Sequence, residues 1–165
     1  MMEILKNIIK ISLSILTVAI LFVSCKAPED KVLNSLGEYK EYVYYSEGEF
    51  QDYTDYGKYY YDSADLADNA YFTEVENYDL SEINEHLDDF EAWIETYREG
   101  DPSCEIVVNY DFDREIIDRE DYIHINSEKF TTTWDDGMVT NTFASYEIYF
   151  FDTQTQVLYF FHNNI

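Results

Sequence analysis

The feature that most constrains the fold is a long apolar stripe near the middle of the chain. Its members are spaced three or four residues apart: Leu80, Ile83, Leu87, Phe90, Ile94 and Tyr97. Because an α-helix turns once in about 3.6 residues, this spacing places all of them on one helical face. Asp79 followed by Glu82 is typical of a capping box, and Gly100 and Pro102 end the helical pattern. The stripe therefore requires an apolar surface to pack against.

The segments around this helix have the patterns of β-strands. Segments with strand-like patterns are residues 71–76, 106–112, 122–126, 130–134, 138–151 and 157–161. Asp136-Gly137 is typical of a tight hairpin turn between two of them. We expect an α+β fold in the order β-α-β-β-β-β, with one amphipathic helix packed on an antiparallel sheet of about five strands. The order is similar to that of cystatin-like and NTF2-like rolls, as an architectural analogy only.

The last two predicted strands are apolar at successive positions instead of alternating. Residues 148–151 and 158–161 read Ile-Tyr-Phe-Phe and Leu-Tyr-Phe-Phe. A strand with one face in water should alternate, so we expect their second face to be covered or to bind a partner. Residues 39–61 hold nine tyrosines interleaved with acids and have poor periodicity, which predicts irregular structure with one or two short strands. We expect this zone to cover the second face, and the alternative is an exposed aromatic patch. Acids at every third position of residues 62–68 predict a helical turn.

The N-terminal segment has the layout of a secretory signal. Lys6 and Lys10 precede an apolar run of 13 residues, Ile11–Val23. A helix needs roughly 20 apolar residues to cross the hydrocarbon core of a membrane, and this run is shorter.

The end of that run, Phe22-Val23-Ser24-Cys25, resembles the lipobox of bacterial lipoproteins. A small residue precedes the cysteine, although Phe22 stands where the family usually has Leu, Val or Ile. The resemblance implies a diacylglyceryl (palmitate-type) lipid on Cys25 and a location on the extracytoplasmic face of a bacterial cell membrane. Cleavage at another position and an uncleaved membrane anchor are the alternatives. The division that follows is signal peptide 1–24, lipidated Cys25 and tether 25–37, acidic tyrosine-rich segment 38–69, and α+β domain 70–165.

The net charge of the chain limits the classes of molecule that it can bind. The chain has 35 Asp and Glu against 10 Lys and Arg, a formal net charge of −25. Residues 1–24 carry +1, which leaves −26 on residues 25–165. A chain this acidic lacks the basic surplus that binds nucleic acid, whereas 18 % aromatic residues argue against disorder. Besides the membrane, we expect a basic protein surface or a carbohydrate as partner.

Signatures of catalysis, of cofactor binding and of metal binding are missing from the sequence. It has neither a Gly-x-Ser-x-Gly elbow nor a glycine-rich phosphate loop. The three histidines lie far apart in the chain: His86, His124 and His162. Residues 111–115 begin like a calcium loop, but Ile116 and Tyr122 replace its glycine and its last glutamate. The other cysteine, Cys104, is interpreted as a small buried apolar residue.

We therefore predict no catalytic residue, no cofactor and no metal site, and one lipidated residue, Cys25. The expected function is that of a lipid-anchored, extracytoplasmic, non-catalytic binding or interaction module. Two alternatives stay open: a small carboxylate-dependent enzyme acting on cell-envelope carbohydrate, and a cation-binding surface protein.

Overall fold

The computed structural model describes residues 30–49, 52–64, 66, 68–133 and 138–165. The chain divides into two compact units, Met1–Asn34 and Ser35–Ile165. In the first unit the described residues form one short helix, α1 (Lys31–Asn34). The carboxylate of Asp30 caps it by accepting hydrogen bonds from the backbone N–H groups of Val32 and Leu33, both at 2.9 Å.

The second unit is one antiparallel sheet of six strands with helices on one face. The α+β class predicted from the sequence is confirmed. In chain order the elements are β1 (Glu41–Glu49), β2 (Asp52–Tyr60), β3 (Thr73–Glu74), α2 (Leu80–Gly100), α3 (Glu105–Asn109), β4 (Tyr122–Thr133), β5 (Val139–Asp152) and β6 (Val157–Asn164). Short 3-10 turns occupy Val75–Asn77 and Arg114–Ile116. Across the sheet the strand order is β1-β2-β6-β5-β4-β3.

Helix α2 confirms the helix predicted from the apolar stripe, but Leu80 at its first position is 55 % exposed. Asp79 is its N-cap, and the carboxylate accepts a hydrogen bond from the Ser81 N–H at 2.9 Å. The buried side of the helix packs on the sheet, where the rings of Phe90 and Phe161 meet edge to face with centroids 5.2 Å apart. The main core therefore lies between α2 and the centre of the sheet.

The strand predicted at residues 106–112 is wrong, because α3 occupies most of this segment. Ile106 and its neighbour Val107 are both buried, whereas Val108 is 66 % exposed. An alternating strand would have placed Ile106 and Val108 on the same face. One helical turn instead directs two adjacent side chains into the core, and this contact outweighs the weak helix propensity of the β-branched residues.

The tyrosine-rich zone is regular, contrary to the prediction of irregular structure. Its strands β1 and β2 pair over nine positions, and β2 in turn pairs with β6, with Tyr56 opposite Phe161. The hairpin therefore widens the sheet side by side with the last strand. The expectation that this zone covers the second face of β5 and β6 holds only for individual rings, such as Tyr61 against Phe151. The helical turn predicted at residues 62–68 is also wrong for the positions that the structure describes.

The face of the sheet opposite to α2, called here the outer face, is closed along β5 and β6. Phe151 and Leu158 are fully buried there. The ring of Tyr61, just after β2, lies 5.8 Å from that of Phe151. Phe160 and Tyr149 are 8 % and 3 % exposed. The two-sided apolar pattern of these strands therefore reflects burial on both faces, and this part of the outer face is not an open aromatic patch.

The remaining strands follow the sequence with two adjustments. The strands predicted at 122–126 and 130–134 form one strand, β4, with a bulge between Glu128 and Lys129. Residues 135–137, where the tight turn is predicted, lie outside the described residues. The strand predicted at 71–76 is shortened to β3, which the 3-10 turn follows. Among the described helices, none is long and apolar enough to span a membrane.

Candidate interaction surface

The cysteines and the possible metal ligands do not form one site among the described residues. Cys25 lies outside the described residues. Cys104 is a half-buried free thiol at the N-cap position of α3. Among the described residues, no group of three or more His, Cys, Asp or Glu is arranged to hold a metal ion.

The three histidines occupy separate environments. His86 is fully buried in α2, where its Nδ1 donates to the Glu82 carbonyl at 2.7 Å and its ring lies 4.5 Å from that of Phe143. Within the described part of the chain its Nε2 has no hydrogen-bond partner. The Nδ1 of His124 lies 2.9 Å from the carbonyl oxygen of Tyr71. These are contacts of packing side chains.

His162 forms the one histidine–carboxylate pair among the described residues. Its Nδ1 lies 2.9 Å from Oδ2 of Asp55, which is only 3 % exposed. The pair therefore joins β2 to β6.

The calcium-loop-like segment 111–115 is engaged within the fold. Asp111 accepts hydrogen bonds from the Tyr56 hydroxyl at 2.7 Å and from the Lys58 ammonium at 2.6 Å. Burial opposes its ionisation, but the bonds from Lys58 and Tyr56 outweigh this effect and lower the pKa of Asp111. Asp113 caps the following 3-10 turn through the N–H of Glu115. Both carboxylates thus stabilise the chain segment between α3 and β4.

A groove beside α2, with a volume of about 420 Å³, bears on the enzyme alternative. Its lining includes Asp88, Glu91 and Tyr110. The guanidinium of Arg114 bonds to Asp88 at 2.7 Å and to both carboxylate oxygens of Glu91 at 2.8 and 2.9 Å. Both carboxylates are thus engaged by one guanidinium, so this groove has the arrangement of an ion-pair cluster.

Strand β1 offers a different kind of surface. It is the terminal strand of the sheet, and no other strand of the described chain lies on its far side. On the outer face it carries Tyr42 and Tyr44, which are 56 % and 44 % exposed. On the helix-side face it carries Glu41, which is exposed, and Glu47, which is half-buried. The exposed rings and Glu41 therefore point to opposite sides of β1, whose helix-side face also carries the half-buried Tyr45 and lies against α3.

The two exposed rings are held in place by the sheet beneath them. Tyr42 stacks on Tyr59 with centroids 5.8 Å apart and planes 12° apart. Tyr44 stacks on Phe160 at 6.3 Å and 19°, and it passes over Gly57, where an added Cβ would lie 3.3 Å from Cδ2 of Tyr44. Burial, followed by the charge of Asp55 and a hydrogen bond to it, raises the pKa of Tyr44. Both rings are fixed at one side and accessible at the other.

Comparison with protein-family models, with curated proteins and with solved structures finds no match to this chain.

Proposed function

We propose that this chain is a lipid-anchored extracytoplasmic binding module, attached to a bacterial membrane through Cys25, that uses β1 to bind a basic protein partner. The observation that carries the proposal is the terminal strand β1, with Tyr42 and Tyr44 exposed on one face and Glu41 exposed on the other.

The attachment is supported by the sequence. The lipobox-like segment ends at Cys25, and the second compact unit begins at Ser35, ten residues later. A diacylglyceryl group provides two acyl chains, which suffice for stable attachment to a membrane. A module tethered in this way would present its surface close to the lipid headgroups.

The chemistry of the partner is supported by charge and by the fixed rings. A formal charge of −26 on residues 25–165 attracts cations and repels anionic polymers. Lysine and arginine can pair with Glu41 and can also lie against the faces of Tyr42 and Tyr44 in cation–π contacts. Stacked tyrosines contribute contact area at a low cost in conformational entropy. These features together favour a basic polypeptide.

The anchor is tested by lipid labelling of the full chain expressed in bacteria. A radiolabelled fatty acid should label the wild-type chain and Cys104→Ser, because each retains Cys25. Cys25→Ser should lose the label and leave the membrane fraction. Equal labelling of the Cys25→Ser chain would refute the anchor.

The partner class is tested with peptides and the full chain in non-ionic detergent micelles. Fluorescence anisotropy compares a ten-residue peptide of alternating Lys and Val with one of alternating Glu and Val. We expect tight, salt-sensitive binding of the Lys peptide, and Glu41→Gln/Glu47→Gln should weaken it about fivefold or more, which is roughly 1 kcal/mol. The charge-matched control is Glu120→Gln/Glu128→Gln, in which Glu120 lies just before β4 and Glu128 lies within it. This control should change the affinity for the Lys peptide less than about twofold.

Failure of the Lys peptide to bind better than the Glu peptide would refute a basic partner. Binding of cell-envelope polysaccharide in place of either peptide would favour a carbohydrate partner instead.

A further inference from the structure

We propose that β1 binds its partner by strand addition, so that an extended basic segment of another polypeptide becomes the next strand of the sheet beyond β1. This inference rests on the proposed function, because it specifies how the basic partner is held. It predicts backbone hydrogen bonds in addition to contacts between side chains.

The direction of the backbone groups of β1 follows from one hydrogen bond. Tyr61 donates its N–H to the Gln156 carbonyl at 3.0 Å, toward β6. In an antiparallel ladder, successive residues point their N–H and C=O groups to alternate sides. Tyr60 and every second residue before it in β2 therefore point toward β1.

The residues of β1 that face those positions point back at β2. They include Glu41 opposite Tyr60, and Tyr45 opposite Tyr56. The intervening residues of β1 then direct their N–H and C=O groups away from the sheet: Tyr42, Tyr44, Ser46 and Gly48. No strand in the described part of the chain takes these groups. Tyr42, Tyr44, Ser46 and Gly48 are all exposed, so a partner strand can reach them.

The side chains of β1 define the sequence that such a partner strand would carry. Glu41 and Glu47 lie on the same face, six residues apart, which is about 20 Å along a strand. A partner with Lys or Arg at positions six residues apart would place one cation near each carboxylate. On the other face, Tyr42 and Tyr44 would contact the alternate side chains, for which Lys, Arg or a β-branched residue is suitable.

The same carboxylates disfavour a second copy of this chain. An antiparallel pair of β1 strands centred on Tyr44 would place Glu41 opposite Glu47 of the other copy, twice in each dimer. Like charges directly opposite each other destabilise a strand pair. Each copy also carries a net charge of −26 over residues 25–165. A basic strand meets neither penalty.

The other edge of the sheet, formed by β4 and the short β3, is less suited to pairing with an added strand. There β4 pairs with β3 at only two positions, so most of its outer edge has no strand beside it among the described residues. It carries a bulge between Glu128 and Lys129, and the Lys129 ammonium bonds to Glu85 at 2.8 Å. Bulges and lysines are features that protect sheet edges from further pairing. Strand β1 pairs in regular register over all nine positions, which suits it better for strand addition.

The test uses two substitutions at Ser46 in the full chain in non-ionic detergent micelles, with the alternating Lys-Val peptide as the probe. The N–H of Ser46 points away from the sheet, so Ser46→Pro breaks no hydrogen bond between β1 and β2 and leaves the net charge unchanged. It removes a central donor and obstructs an added strand. We expect Ser46→Pro to weaken peptide binding about tenfold or more, and Ser46→Val, which keeps the N–H, to change it less than about twofold.

The outcomes separate this inference from the proposed function. Unchanged binding by Ser46→Pro would overturn strand addition and leave a basic partner in place. Failure of the wild-type chain to bind the peptide would overturn both.

A second measurement, made on the wild-type chain, tests strand addition even if Ser46→Pro does not fold. Amide exchange at Tyr42, Tyr44, Ser46 and Gly48 should slow about tenfold or more when the peptide binds, while Tyr45, already bonded to β2, should change little. Unchanged exchange at these four amides under saturating peptide would also overturn the inference.

Discussion

Gly48→Ala is the substitution that most directly tests how closely β1 and β2 approach each other near their connection. Gly48 has φ +136°, a backbone conformation that residues with a side chain rarely adopt. A Cβ atom at this position would lie 2.2 Å from the Asp52 carbonyl oxygen and 2.6 Å from the Tyr53 Cα. Both atoms belong to the backbone of β2, so the two strands would have to move apart.

Two costs add up for this substitution. The unfavourable φ contributes about 1–3 kcal/mol, and the displaced backbone contributes about 1–3 kcal/mol more. The expected loss in the free energy of unfolding is therefore about 2–6 kcal/mol. Gly37 has φ +89° with no atom within 4 Å of an added Cβ, so Gly37→Ala should cost only the first amount. Gly100 has neither constraint, and Gly100→Ala should stabilise the end of α2 by about 0.4–1 kcal/mol.

The assay is urea unfolding of the full chain in non-ionic detergent, followed by tryptophan fluorescence. Amide exchange in β1 and in α2 separates a local opening of the hairpin from global unfolding. If Gly48→Ala costs no more than Gly37→Ala, both globally and in the exchange of β1, then β1 and β2 do not approach each other this closely at Gly48.

Three further predictions concern the core between α2 and the sheet. Phe161 is fully buried against Phe90, so Phe161→Ala should lower the free energy of unfolding by about 3–5 kcal/mol in the same urea assay. The control, Val139→Ala at an exposed site, should change the free energy of unfolding by less than about 0.5 kcal/mol. The Tyr146 hydroxyl donates to the half-buried Asp89 carboxylate at 2.9 Å, and Tyr146→Phe should cost about 1–3 kcal/mol; a neutral result would show that water replaces the hydroxyl. Burial raises the pKa of Asp89 in the folded chain. As the pH rises, Asp89 therefore loses its proton first in the unfolded chain, so its ionisation lowers the free energy of unfolding from its ordinary pKa of about 4 up through the raised value. The stability of the wild-type chain relative to Asp89→Asn should therefore fall with rising pH across that interval, and a relative stability that increases there would contradict this assignment.

The sequence predicts helix α2 and strands β5 and β6, whose patterns are visible within each segment. Helix α2 follows from the spacing of Leu80 to Tyr97, because one face packs on the sheet and the other meets solvent. Strands β5 and β6 follow from segments rich in β-branched and aromatic residues. Their burial on both faces is also the reason why they do not alternate.

The elements that the sequence misses depend on distant contacts. Helix α3 forms because Ile106 and Val107 both enter the core, a constraint that no local periodicity shows. The hairpin β1–β2 has an indistinct pattern because Thr54, Asp55, Tyr56 and Gly57 are buried in succession. Asp55 is accommodated by His162, which lies 107 residues further along the chain.

The candidate surface on β1 could be predicted only in part. The tyrosines and acids of residues 39–61 indicate a surface suited to recognition, but a terminal position in a sheet is set by which strands pair, and that information is spread over the whole chain. The alternation of Tyr42, Tyr44 and Ser46 on one face is the local signal that could have indicated a strand there.

The pairing of β2 with β6 has a consequence for the order in which the fold can assemble. Tyr56 and Phe161 are direct partners although 105 positions separate them, so the tyrosine-rich hairpin has no neighbour in the sheet until β6 has been synthesised. Pairing over so long a separation is slow, because the loop between the partners must close before their contacts form. During that interval the rings of the hairpin are exposed, and the net charge of −25 makes copies of the chain repel one another.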